Sequence, residues 1–92
     1  MAVRIIIPLP HLREAVDGKD SVLIDGQTVG ECLKTLVAHF PRLEPMIFEQ
    51  EELLSFVTLL LNGKSLHGEP HPLLLPVVEG DELTIMLLLA GG

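Results

Sequence analysis

Ninety-two residues are enough for a single domain spanning 1–92, and a chain this short buries only roughly 60–65% of the surface it exposes when unfolded. Thirteen acidic against six basic residues give a formal charge of −7, which argues against nucleic acid and anionic membrane surfaces as partners and favours a basic protein. Cys32 is the one cysteine, so there is no internal disulfide and no cysteine-built zinc site, and no apolar run reaches the about eighteen residues that a membrane span needs.

The start, Met1 to Ile7, is too short for a signal peptide and lacks its cleavage pattern, so a cytoplasmic location is expected. Val3 to Ile7 reads as a strand of β-branched residues that stops at Pro8 and Pro10, which cannot donate ladder hydrogen bonds. His11 to Val16 either extends it or forms a short turn. Asp17-Gly18 signals a turn, Ser21 to Ile24 a second strand, and Asp25-Gly26 a second turn; the short connection predicts an antiparallel pair.

Thr28 followed by Glu31 is a capping box, and Val29, Cys32, Leu33, Leu36, Val37 and Phe40 then recur at three-and-four spacing to make one apolar helix face. Pro41 ends this helix. Cys32 on that face reads as a small buried hydrophobe rather than a reactive thiol. Residues 42–52 read as a short helical turn or irregular link, with Glu49, Glu51 and Glu52 as a solvated face. Phe56 to Leu61 is a third strand, and Asn62-Gly63 is a strong hairpin signal with a short return through Leu66. After a loop from His67 to Pro72, Leu73 to Leu75 is expected as a brief edge strand, Gly80-Asp81 as a bend, and Leu83 to Leu89 as the final strand.

The first and last strands are apolar almost throughout, the pattern of interior positions, so they are expected side by side and parallel at the centre of the sheet. One helix across one face makes an α+β layered domain whose opposite face is left for solvent or a partner. Hydrophobic residues are 48% of the chain and aromatic residues 3%. That leucine-rich excess fits either an exposed patch for a partner or simply a leucine-rich core.

Several constellations fail on inspection. Gly63-Lys64-Ser65 resembles the end of a phosphate-binding loop, but Thr58 stands where the pattern needs its first glycine. His67 and His71 are four apart, yet Gly68, Pro70 and Pro72 forbid the helix that would bring them together, and no metal site is expected. His39 near the helix end fits the exposed carbonyls there, and His11 has no evident partner. Ser21, Ser55 and Ser65 sit in no nucleophile setting, so a self-contained enzyme is not expected.

What remains is the end of the chain. Val-Glu-Gly-Asp-Glu-Leu at positions 78–83, an apolar strand, and then Ala90-Gly91-Gly92 resemble the ubiquitin-like sulfur carriers of the MoaD/ThiS group, and the element order resembles their β-grasp fold, a mixed sheet packed on one main helix. The resemblance implies a carrier protein rather than an enzyme, with no bound cofactor. An E1-like adenylating enzyme would use ATP to join AMP to the carboxylate of Gly92, and sulfur would displace AMP to leave a thiocarboxylate that donates sulfur to an acceptor. Ala90, Gly91 and Gly92 would be the residues threaded into the partner, since glycine lets backbone approach closely. Length and the segment 41–52 favour the molybdopterin-type branch, in which the acceptor is a larger molybdopterin synthase-type subunit. Leu87 and Leu88 stand where such carriers commonly have two prolines. The alternatives are a protein modifier joined to lysines through the same tail, and a β-grasp interaction module that carries nothing.

Overall fold

β-Branched residues two apart begin strand β1 (Ala2–Ile6), with Val3 and Ile5 fully buried and Arg4 exposed between them. The computed structural model describes residues 2–87; Met1 and residues 88–92 lie outside the described residues. Pro8 and Pro10 stop the strand, and the segment after them turns rather than extends. It forms the one-turn helix α1 (Pro10–Arg13) and a 3₁₀ turn, Glu14–Val16, which bury Leu12, Ala15 and Val16. Asp17 and Gly18, both at positive φ, reverse the chain into β2 (Ser21–Asp25), which pairs antiparallel with β1.

Helix α2 (Val29–His39) starts where the capping residues place it. Thr28 Oγ1 accepts from the Glu31 backbone N–H at 3.1 Å, a contact that stabilises a helix start by about 1 kcal/mol. The Glu31 carboxylate reaches one residue further back than a standard capping box and accepts from the Gln27 N–H at 3.1 Å. Val29, Cys32, Leu33 and Leu36 face the core, while Val37 and Phe40 pack at its margin. Gly26 is required beneath this helix: a Cβ there would lie 2.9 Å from the Cys32 backbone nitrogen and 2.6 Å from its sulfur. Burial, reinforced by the nearby Glu31 carboxylate, pushes the Cys32 thiol pKa up, so the group stays protonated and packs as a hydrophobe.

Pro41 closes α2, and of the two forms expected at 42–52 the short helical turn is present, with a strand pair after it that was not expected. A 3₁₀ turn (Pro41–Leu43) and α3 (Glu44–Ile47) bury Leu43 and Ile47, and a two-residue pair, β3 (Phe48–Glu49) with β4 (Glu52–Leu53), follows. Its turn residues, Gln50 and Glu51, have φ of 50° and 66°, which costs non-glycine residues roughly 1 kcal/mol each. That is why no hairpin could be read there: Asn-Gly announces such a turn and Gln-Glu does not.

Strand β5 (Val57–Leu61) turns through Asn62 and Gly63, at φ 52° and 85°, into β6 (Lys64–Ser65), as the dipeptide predicts. The brief edge strand expected at Leu73 to Leu75 is absent. Pro72–Leu74 is a 3₁₀ turn pressed on α2, because Pro70 and Pro72 prevent a regular ladder and Gly30 lets the helix come close. Backbone pairing survives only beside it, where Val29 N–H donates to Leu75 O at 3.0 Å and Val77 N–H to Gln27 O at 3.0 Å.

The last described strand, β7 (Glu82–Leu87), pairs parallel with β1 and antiparallel with β5, giving the sheet order β2-β1-β7-β5-β6. The parallel central pair read from the apolar first and last strands is therefore present, and a mixed five-stranded sheet with α2 on one face is a β-grasp fold. Val3, Ile5, Leu59, Leu83 and Ile85 project from the sheet into the helix-side core.

Candidate functional site

The tail follows directly on β7, so the site is set by how that strand is held. β7 is the middle strand of five, and Leu83 and Ile85 are fully buried against the helix layer. Its ladder to β1 ends at the pair Ile6 with Thr84, since Ile7 and Pro8 turn away. Beyond that point β5 alone holds it, through Met86 with Thr58 and Leu87 with Val57. Ala90, Gly91 and Gly92, the residues expected to react and to enter a partner, lie outside the described residues, as do Leu88 and Leu89 of the expected final strand.

The entry to β7 is clamped. Asp81 Oδ2 accepts from Val78 N–H at 2.8 Å and Asp81 Oδ1 from Asn62 Nδ2 at 3.0 Å, while Asn62 Oδ1 accepts from Glu82 N–H at 2.9 Å. Gly80, at φ 90°, makes the bend that lets one aspartate reach both donors. The Val-Glu-Gly-Asp-Glu sequence thus joins the β5–β6 turn to the start of the exit strand. The Asn62 contact first, and then the Val78 N–H, hold the Asp81 carboxyl below its usual range. A depressed folded pKa adds stability that is present above the unfolded carboxyl value and lost as pH falls through the folded one. The stability difference between the protein and Asp81→Ala, measured by urea unfolding, is therefore expected to be full at pH 7 and to shrink below about pH 4. A difference that stays constant down to pH 3 would remove the charge from the explanation.

The sheet face away from α2 carries rows fixed by the register. Leu23, Arg4 and Glu82 stand abreast, then Ser21, Ile6, Thr84, Leu60 and Ser65, then Met86 and Thr58 next to the exit. Ile6, Leu60 and Met86 are half-buried by their neighbours, and Leu23 is 65% exposed at one margin. Thr58 Oγ1 is shielded from solvent and has no hydrogen-bond partner among the described residues. From the sequence this face is open to solvent or a partner, but its residues do not stand out. The signal lay in the alternation Glu82-Leu83-Thr84-Ile85-Met86-Leu87, whose even positions must face opposite to the buried odd ones.

The leucine-rich composition goes largely into the core and the layer packed against it, while Leu23, Leu74, Phe56 and Val78 are exposed at separate places. His67 and His71 are exposed in their loop, and among the described residues no group of three or more His, Cys, Asp or Glu is placed to hold a metal ion. No helix of the described residues is long and apolar enough to cross a membrane.

Neither the protein-family models nor the curated proteins gave a match to this chain. Solved structures did. A chain of the BexX/CysO complex of Amycolatopsis orientalis superposes with a TM-score of 0.85 at 30% identity, over 99% of this chain and 100% of that one. The small archaeal modifier protein 1 (SAMP1) of Methanosarcina acetivorans gives 0.84 at 26%, over 99% and 96%. A chain from the complex of subunits 1 and 2 of the molybdopterin-converting factor of Helicobacter pylori gives 0.62 at 17%, over the full length of both, and shares the fold.

Proposed function

This chain belongs to the ubiquitin-like sulfur carriers, small carrier proteins rather than catalysts, and from that premise we propose that it carries sulfur on the carboxyl group of Gly92. The observation that carries the reading is the pairing of a buried central strand with a side-chain-free end: Leu83 and Ile85 fix β7 in the core, and Ala90-Gly91-Gly92 follow it.

A carboxylate is a poor electrophile until one oxygen is made a leaving group. An E1-like enzyme would supply that step: the Gly92 carboxylate attacks the α-phosphorus of ATP, pyrophosphate leaves, and an acyl adenylate remains. Hydrosulfide or an equivalent sulfur nucleophile then attacks the carbonyl carbon, AMP departs with the bonding electron pair, and a thiocarboxylate results. Neither ATP nor any other cofactor resides on the carrier; its own contribution is presentation. The apolar strip of Ile6, Leu60 and Met86 beside the exit supplies the surface on which the activating enzyme and then the acceptor seat. The cycle so proposed belongs to the cytoplasm, where ATP is available.

Incubation with an E1-like activating enzyme, ATP and sulfide is expected to raise the intact mass by one oxygen-to-sulfur exchange, localised to the C-terminal peptide. Complete absence of that product with an activating enzyme that modifies a known carrier in parallel would overturn the reading. For the acceptor, a protein related to BexX, which is in complex with CysO, has the stronger support, from the 30% identity and TM-score of 0.85. The molybdopterin branch expected from length and the segment 41–52 rests on fold likeness.

A second reading is favoured by the likeness to the small archaeal modifier protein: the same activated carboxyl would join a lysine amine and release AMP. Gly-Gly remnants on lysines in digests of the host proteome would mark that outcome.

A further inference from the structure

We propose that the groove along the solvent side of α2 docks a partner segment that carries one or two bulky apolar residues flanked by Lys or Arg. The groove measures about 680 Å³, within the range of sites that enclose a few side chains. Gly30, Lys34, Val37 and Ala38 form one of its walls, at the helical spacing that sets them on a face distinct from the core-facing Val29, Leu33 and Leu36. The opposite wall is the 3₁₀ turn, with Leu73 against the helix and Leu74 at the lip, 70% exposed. Phe48 of the small β3–β4 pair closes one end.

The turn can lie this close because position 30 has no side chain. A Cβ there would come within 3.0 Å of the Leu73 carbonyl oxygen and 3.2 Å of its Cβ. The groove's charged lining decides the occupant: Glu31, Glu44 and Glu51 stand against Lys34. An acidic segment would gain contact with the leucines and lose it to repulsion, a neutral one would gain the contact alone, and one flanked by Lys or Arg gains both contact and attraction. Glu51 is also one of the two turn residues held at positive φ, so the β3–β4 turn that supplies this carboxylate keeps a backbone that its sequence does not favour. The groove is on the helix side and the strip beside β7 on the other, so a segment seated here leaves that strip uncovered.

Selection of random peptides displayed on phage against the immobilised protein tests it. Enriched peptides are expected to pair Leu, Ile or Phe with flanking Lys or Arg, and to bind more weakly as NaCl is raised. Affinity should fall about tenfold with Leu74→Glu, and separately with the double change Glu44→Lys and Glu51→Lys, while Leu23→Glu on the opposite face leaves it unchanged. Both altered sites are at the surface, and an unchanged melting temperature confirms folding. No enrichment, enrichment of acidic peptides, or binding indifferent to both groove variants would overturn the proposal. Self-association of the protein that Leu74→Glu abolishes would overturn it in favour of a second copy.

Discussion

Deletion of Gly92 is expected to abolish thiocarboxylate formation and to leave the melting temperature unchanged. Terminal residues as a rule contribute little to stability, and the core cluster of the described residues is complete in layers built from Val3 to Ile85. Removing Gly92 shortens the reach of the chain beyond β7 by up to about 3.6 Å, and the carboxyl group with it. Misplacement of about 1 Å can cost roughly a hundredfold in rate, so a full residue is enough to erase the reaction. Gly92→Ala separates reach from width: it keeps the length and adds one methyl group, and is expected to slow adenylation without preventing it. The readouts are intact mass after incubation with activating enzyme, ATP and sulfide, and a thermal melt of the same sample. Modification of the truncated chain at the normal rate would mean that the Gly92 carboxyl is not the reacting group.

The parts of this molecule that were legible in advance are those governed by short-range rules. Thr28 with Glu31 marks a helix start, Pro41 its end, and Asn62-Gly63 a tight hairpin, because each acts through its own backbone. The parallel contact of β1 with β7 was also legible, although the strands are far apart in sequence, because the most apolar strands belong inside the sheet with a neighbour on each edge. Leu73 to Leu75 misled for the complementary reason. Three leucines have the composition of a strand, but Pro72 and the approach of Gly30 convert them to a turn against α2, a tertiary effect with no local mark. The turn at Gln50 and Glu51 was hidden likewise, since nothing in either residue type favours positive φ. As to the site, the ending Ala90-Gly91-Gly92 stood out in the sequence, and the structure adds that the strand leading to it is the middle one. The apolar strip beside the exit needed the register, which only the folded sheet supplies.

The largest stability effect is expected at that middle strand. Ile85 is fully buried, lies opposite Leu59 of β5 one residue past the last β1 pair, and has the helix layer above it. Ile85→Ala removes three carbons from a place where the neighbouring strands cannot collapse inward without breaking their ladders. The cost belongs in the upper part of the usual range of about 2–5 kcal/mol. For a domain of this size, total stability is roughly 5–14 kcal/mol, and each kcal/mol shifts the melting temperature by about 4–8 °C. A fall of at least about 12 °C is therefore expected in a thermal melt. Met86→Ala, one residue on and facing the other way, should cost about 1 kcal/mol or less yet weaken the encounter with the activating enzyme, seen as a raised KM for the carrier with kcat retained. The contrast between adjacent residues tests whether one face of β7 anchors the tail while the other meets the partner. If Met86→Ala left KM unchanged, docking would have to be assigned elsewhere; if Ile85→Ala melted close to the unaltered protein, the exit strand would not be the anchor on which presentation of the tail depends.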